Sequence, residues 1–306
     1  MLMEREYSFT IDESQAGERI DKCISESVAE MSRSYIQKLI ANGDVKVNNK
    51  NCKNSYKGNY GDEVSIVLPE SIIPEIVSEN IPLDILYEDD DVIVVNKPKN
   101  MVVHPAAGHY TGTLVNGLMY HCRDNLSGIN GVLRPGIVHR IDKDTTGSII
   151  ACKNDFSHEK MSIQFKEHTI DREYRAIIVG KLPEKSGVIN AAIGRSIQDR
   201  KKMSVNAPNG KHAVTHYEVL EEFKDYSYIS CRLETGRTHQ IRVHMASIGH
   251  PILGDEVYGN VKCPFKLSGQ TLHAYELGFK HPRTDEYIKT IAPIPDYFSH
   301  LLDVIR

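Results

Sequence analysis

Between residues 69 and 91 the chain carries eight acids, no lysine or arginine, and prolines at 69, 74 and 82. Such a stretch reads as a linker, and it divides 306 residues, enough for two modest domains, into unequal parts. Net charge follows the division. Residues 1 to 16 total -3, 17 to 68 total +1 and 69 to 91 total -8, which leaves +6 of the overall -4 for residues 92 to 306. All 14 histidines lie in that last part as well. The acidic stretch therefore masks a basic body, densest at Arg195, Arg200, Lys201, Lys202 and Lys211, where only Asp199 opposes. The expected organisation is an extension over 1–16, a small module over 17–68, the linker over 69–83 and a large domain over 84–306.

Composition removes several classes. Hydrophobic residues at 40%, charged residues at 25% and a mean hydropathy of -0.37 exclude disordered, collagen-like and coiled-coil chains. No apolar run reaches membrane-spanning length, and the start, Met1-Leu2-Met3-Glu4-Arg5-Glu6, has acid where a secretory signal has apolar residues, so a cytoplasmic protein without membrane contact is expected. The six cysteines form no Cys-x-x-Cys pair and read as reduced core thiols. Phosphate-loop, dinucleotide, His-Glu-x-x-His and Gly-x-Ser-x-Gly motifs are absent, which weakens nucleotide-driven, redox and serine-hydrolase readings.

The small module reads as two helices and a hairpin. Ile20 and Ile24 begin one apolar stripe; Ser32 or Ser34 caps a second helix whose Ile36, Leu39 and Ile40 share a face, and Asn42-Gly43 stops it. Val45 and Val47 alternate with polar residues, Asn48-Asn49 offers a turn, and 62–67 returns as a strand. Arg19, Lys22, Arg33, Ser34 and Lys38 lie on the polar faces, where they can bond phosphate oxygens. Glu18 to Lys22, Ser32-Arg33-Ser34, Leu39 to Asn48 and Gly61-Asp62-x-Val64 resemble the small RNA-binding domain shared by a small-subunit ribosomal protein and tyrosyl-tRNA synthetases.

In the large domain, strand-like runs at 92–96, 148–152, 174–179, 212–220, 226–233 and 271–279 surround helical patterns at 113–120 and 155–168. Late strands without regular helix alternation favour an α+β fold with a mixed, mainly antiparallel central sheet. Two polar segments stand out: Gly136 to Gly147, which holds His139, Arg140, Asp142 and Asp144, and Glu234 to Met245, which holds Arg237, His239 and Arg242. With Thr238 as a cap, Ile241, Met245 and Ile248 form a helix face that leaves Arg242 sideways, toward a cleft. The alternative for the first segment is a charged turn. His239, His244 and His250 suggest a metal, but spacings of five and six do not align ligands on one helix face, so no metal is expected.

These segments, with Arg172-Glu173-Tyr174-Arg175-Ala176 between them, closely resemble the RluA/RluD family of RNA pseudouridine synthases. Asn96-Lys97-Pro98, His104-Pro105, Gly254-Asp255-x-x-Tyr258-Gly259 and His273-Ala274 also match, over roughly 84–295 in unbroken order. Ile141 and Thr146 depart from the usual Leu and Ser. The resemblance implies isomerisation of uridines in structured RNA with no cofactor. Asp142 is then the catalytic carboxylate and Arg242 its partner, with Arg237 the competing candidate; Tyr174 lies against the base and Arg140 fills the gap left by a flipped nucleotide. Arg19, Arg33, Lys38, Arg237, Lys201 and Lys202 are the further expected RNA contacts. Pairing of the two modules resembles the RluD and RluC branches, so large-subunit ribosomal RNA or a precursor ribosomal particle is the expected partner, bound by a monomer. The rivals are a non-catalytic RNA-binding assembly factor and a histidine-rich metal hydrolase.

Overall fold

The computed structural model describes residues 5–28, 31–68, 76–106, 109–123, 125–129, 131, 134–199, 202–259 and 263–306. The chain forms two compact units, Met1–Pro74 and Glu75–Arg306. In the first unit, β1 (Arg5–Thr10), α1 (Ile20–Ser27), α2 (Arg33–Asn42), β2 (Val45–Val47), β3 (Lys50–Asn51) and β4 (Glu63–Leu68) follow in order. Its strands pair antiparallel as β1-β4-β2-β3. The Ser32 side chain accepts from the Tyr35 amide at the start of α2, and Gly43, at φ 85°, ends the helix in the left-handed conformation. Asn48 and Asn49, at φ 52° and 63°, make the tight turn into β3. Ile20, Ile24, Ile36, Leu39, Val45 and Ile66 fill the core between helices and sheet.

Two expected boundaries move. The segment 1–16 is no mere extension: β1 pairs with β4 along its whole length, and Tyr7, Phe9 and Ile11 pack on the helical core from alternate positions. Of the expected linker, 69–75 lies outside the described residues, whereas 76–83 is laid on the second unit. Ile76 is buried in that unit's core, the Glu79 amide donates to the Asn116 carbonyl at 3.0 Å, and Asn116 Nδ2 donates to the Val77 carbonyl at 2.8 Å. Acidic composition made the stretch read as a linker, yet Ile76, Ile81 and Leu83, with Glu79 the one charge between them, supply a packing face.

The second unit contains β5 (Ile85–Glu88), β6 (Val92–Lys97), α3 (Leu114–Cys122), β7 (Thr146–Cys152), α4 (Asp155–Glu167), β8 (Asp171–Val179), β9 (Ser186–Asn190), β10 (Ile193–Arg195), β11 (Met203–Val205), β12 (Val214–Glu222), β13 (Tyr226–Leu233), α5 (Gln240–Ser247), β14 (Leu272–Lys280), β15 (Tyr287–Ile291) and α6 (Asp296–Ile305). Among the described residues, nine strands form one sheet in the order β5-β6-β7-β14-β8-β13-β12-β9, with β15 added to β14. Its pairs are antiparallel except β7 with β14, so the fold is α+β with a mixed, mostly antiparallel sheet. β10 and β11 make a separate hairpin. At the parallel junction a side chain on Gly147, at φ 105°, would stand 2.2 Å from the Ala274 carbonyl oxygen, so only glycine admits β14 there. That junction joins the loop before β7 to the middle of the sheet, and the site is built there.

Candidate active site

The loop 139–145 is fixed from below by a buried lysine. Lys97, at the end of β6, is 0% exposed and its Nζ donates to the carbonyls of Pro98, Met101 and Lys143 at 2.8, 2.9 and 2.9 Å. Burial lowers its pKa to about 7 against the pull of Asp144 and Asp142. From the side, His139 stacks on Phe165 of α4 at 4.5 Å, and its Nε2 accepts the Ile150 amide at 3.0 Å. Thr146 Oγ1 meets His273 Nδ1 at 2.8 Å, and His273 Nε2 lies 3.2 Å from the Ala292 carbonyl. His139 and Thr146 therefore shape the loop, and the Ile150 amide that donates to His139 Nε2 requires that ring to be neutral.

Those imidazoles carry a pH dependence. Burial holds His104 at about 4, His139 at about 3 and His273 at about 4, Arg134 and Arg140 adding to the effect on His104 and Arg172 to that on His139. The unfolded chain takes up these protons near 6.5 and the folded one refuses them, so stability is lost as pH falls from 6.5 toward 4. Between pH 7.5 and 5.0 the unfolding free energy should drop by roughly 2 kcal/mol per buried imidazole. Urea unfolding at the two pH values reads this, and His273→Gln should flatten the difference by one histidine's share.

Asp142 is the half-buried carboxylate that this loop presents. Its Oδ2 accepts from Arg242 Nη1 at 2.9 Å, and its Oδ1 lies 3.8 Å from His239 Nε2. Arg242 projects from α5 and is itself gripped: Nε and Nη2 donate to Asp255 Oδ2 and Oδ1 at 2.7 and 2.8 Å. Asp255 Oδ1 also accepts the amides of Val257 and Tyr258. Burial works against both charges, yet their mutual bonds prevail, leaving Arg242 above and Asp255 below its ordinary pKa. The result is a chain of carboxylate, guanidinium and carboxylate whose outer end, Asp142, opens on the cleft.

Helix α5 begins differently from expectation. Thr238 is exposed, and the cap is His239 at φ 57° with no side-chain capping bond. The left-handed turn is stabilised instead by Gln240, whose Oε1 accepts from the Arg237 amide and Thr235 Oγ1 while its Nε2 donates to the Val214 carbonyl. It brings His239 Nδ1 within 2.8 Å of the Tyr258 hydroxyl. His244 bonds Thr215 and the Ala191 carbonyl, and His250 the Val179 carbonyl, so the three histidines of the metal alternative face separate partners. Among the described residues no group of three His, Cys, Asp or Glu side chains could hold a metal.

Asp142, Tyr174, Arg140, Arg237 and Arg242 all line one slot of about 60 Å³. Tyr174 stands on β8 with Ile141, Leu233 and Leu272 beside it; burial raises its pKa, with Arg172 opposing and Asp142 adding. Arg140 is exposed at the lip. Arg237 spends its Nε on the His212 carbonyl at 2.9 Å, and it is Arg242 that reaches Asp142. Lys202 is half-buried beyond β10, and Lys201 lies outside the described residues. In the first unit Lys38 is exposed on α2, whereas Arg19 and Arg33 both donate to Asp21, which is 0% exposed and also accepts from Gln37 at 2.7 Å. These two arginines clamp α1 to α2 while half their surface stays in solvent. Asp255 is the site residue that sequence reasoning passed over: Gly254-Asp255-x-x-Tyr258-Gly259 stood out as a motif, but nothing local assigns that acid a partner 13 residues away.

The model of the RNA pseudouridylate synthase family matches residues 91–247. The chain is 50% identical over 297 residues to a Bacillus subtilis protein named "Uncharacterized RNA pseudouridine synthase YlyB", covering 97% of each. It is 44% identical to "Ribosomal large subunit pseudouridine synthase D" of Zymomonas mobilis, covering 97% of this chain and 96% of that one. Among solved structures, human RNA pseudouridylate synthase domain containing 1 superposes with a TM-score of 0.58 at 25% identity, over 75% of this chain and 96% of its own.

Proposed function

Because the chain belongs to the RNA pseudouridine synthase family, whose members are isomerases, we propose that it converts specific uridines of large-subunit ribosomal RNA to pseudouridine with Asp142 as nucleophile. The observation that carries this reading is the Asp142–Arg242–Asp255 chain ending in a slot walled by Tyr174. The ribosomal substrate follows the names of the relatives at 40 to 44% identity. In the reaction the bond from ribose C1′ to uracil N1 breaks as the Asp142 carboxylate engages C1′. The ring turns, C5 bonds to C1′ as the bond from the Asp142 carboxylate to C1′ breaks and frees the carboxylate, the C5 proton leaves and N1 regains one. No electron, phosphate or metal enters that balance.

The slot is far smaller than the ~300 to 1,000 Å³ of ordinary ligand pockets, so a uridine enters only when the nucleotide is flipped out and the side chains at the lip swing aside. Arg140, exposed there, then fills the vacated place in the RNA. Tyr174 stacks on the base and serves the proton transfer at C5. Lys38, Lys201, Lys202, Arg237 and the outer edges of Arg19 and Arg33 contact phosphates, giving a monomeric cytoplasmic protein two RNA-binding units whose joint affinity exceeds either alone.

Mapping pseudouridines across total RNA from a strain lacking the protein tests the reading: loss at defined large-subunit positions supports it, and an unchanged map overturns it. Within the site, Tyr174→Phe should slow single-turnover pseudouridine formation by about 100-fold while RNA affinity stays within twofold. An assembly factor without chemistry would show no rate to lose.

A further inference from the structure

Arg172 is a buried cation that the chemistry above leaves idle. It precedes Tyr174 by two residues on β8, so both project from the same face of the strand. The residue is 9% exposed, and its Nε and Nη2 are buried with no hydrogen-bond partner. A guanidinium taken out of water this far ordinarily has a carboxylate against it. Its acidic neighbours are committed elsewhere: Glu173 to Arg175 and Arg232, Asp171 to the Tyr287 hydroxyl, Glu234 to His216. Burial lowers its pKa, Tyr174 opposes, and Arg237 adds like-charge repulsion.

The surroundings are shaped for this side chain. Gly236 has no left-handed backbone to explain it, but a Cβ there would stand 2.6 Å from Arg172 Nη1. Arg172 helps to line a cleft of about 630 Å³ with His168, His212 and Leu233; the cleft also carries Asp171, Glu173, Glu234 and Glu276, the last bonded to Lys289 at 2.6 Å. Leu233 is shared with the Asp142 slot, and Arg237, which lines that slot, donates to the His212 carbonyl. The cleft is therefore the next stop along the surface from the reacting position.

We propose that this cleft is an anion subsite in which Arg172 receives an RNA phosphodiester next to the nucleotide held at Asp142, with His168 and His212 at its rim. It rests on the RNA reading given above. A phosphodiester supplies what the guanidinium lacks, uncommitted negative oxygens matched to the N–H fork of arginine. The competing role is a strut: Arg172 lies 5.9 Å from the Phe165 ring that stacks on His139, and so braces the catalytic loop.

The test compares the full-length parent, Arg172→Gln and Arg172→Lys on an unmodified transcript of bacterial large-subunit ribosomal RNA. Kd is followed from 50 to 300 mM KCl, and the single-turnover rate is taken at saturating protein. Arg172→Gln should raise Kd about tenfold and flatten the salt slope by about 0.7 to 1, the share of one phosphate, with the saturating rate within threefold. Arg172→Lys should keep the slope. Gly236→Ala, which crowds Nη1 without removing the charge, should raise Kd in the same direction and decides the matter if Arg172→Gln does not fold. Parental Kd and slope in these variants, with a lowered saturating rate, would make Arg172 a strut and overturn the subsite. A parent that binds the transcript but forms no pseudouridine refutes the enzymatic reading alone, since the binding comparison still decides the subsite.

Discussion

Asp142→Asn should form pseudouridine at less than about one ten-thousandth of the parental rate, a loss of the size seen when a nucleophile is removed, while its RNA affinity and melting temperature stay near the parent's. The separation follows from how the residue is held. The loop's position depends on Lys97 bonding the Lys143 carbonyl, on the Thr145 amide donating to the Asp142 carbonyl, and on His139 stacked against Phe165. None of these uses the Asp142 carboxylate. An asparagine Oδ1 still accepts from Arg242 Nη1, and Arg242 keeps both bonds to Asp255. What disappears is the anion that must meet ribose C1′. A chemical pseudouridine assay under single-turnover conditions, run beside filter binding on the same transcript, measures both quantities. Modification at the parental rate would remove Asp142 from the nucleophile's place.

Which parts of this were legible before the structure depends on whether the information was local. The strands at 92–97 and 226–233 announced themselves by apolar runs and alternation, and the loop around Asp142 by its density of charge between them. β1 was equally readable from Tyr7, Phe9 and Ile11, but it pairs with a strand more than fifty residues later. Short edges such as β5, β10 and β15 owe their form to neighbours and carry little pattern of their own. Charged side chains were the hardest to interpret, because a sequence shows that a cation exists and not what it faces. Only the family resemblance favoured Arg242 over Arg237 as the partner of Asp142; the fold sets Arg242, on α5, against Asp142 and Arg237, ahead of that helix, against the His212 carbonyl. Arg19 and Arg33 looked free because Asp21, on the inner face of α1, is invisible as a shared acceptor until the two helices pack.

Asp255→Asn should lower the unfolding free energy by about 3 kcal/mol and the saturating rate by about 100-fold, with RNA affinity unchanged, although Asp255 lies behind Arg242 and away from the open slot. Its side chain is 0% exposed and Arg242's is 6%, so the pair is held out of water on both sides. Asp255 answers four donors: Arg242 Nε and Nη2 and the amides of Val257 and Tyr258. An asparagine must turn an NH₂ toward one of those donors, and it removes the charge that offsets Arg242. Left with a single carboxylate, the guanidinium is free to rotate toward Asp142, shifting the very oxygen that has to reach ribose C1′. Arg242→Lys should share the rate defect, since one ammonium cannot fork between two carboxylates. The pH dependence supplies a readout that simple loss of packing would not move. Asp255 has a depressed pKa, so its stabilisation is complete above the unfolded value of 3.8 and is lost as pH falls below it. The parent should show that extra acid sensitivity below pH 4, and the variant, with no carboxyl to titrate, should not. Equal unfolding midpoints for parent and variant at pH 7 would mean that Arg242 is oriented by something other than Asp255.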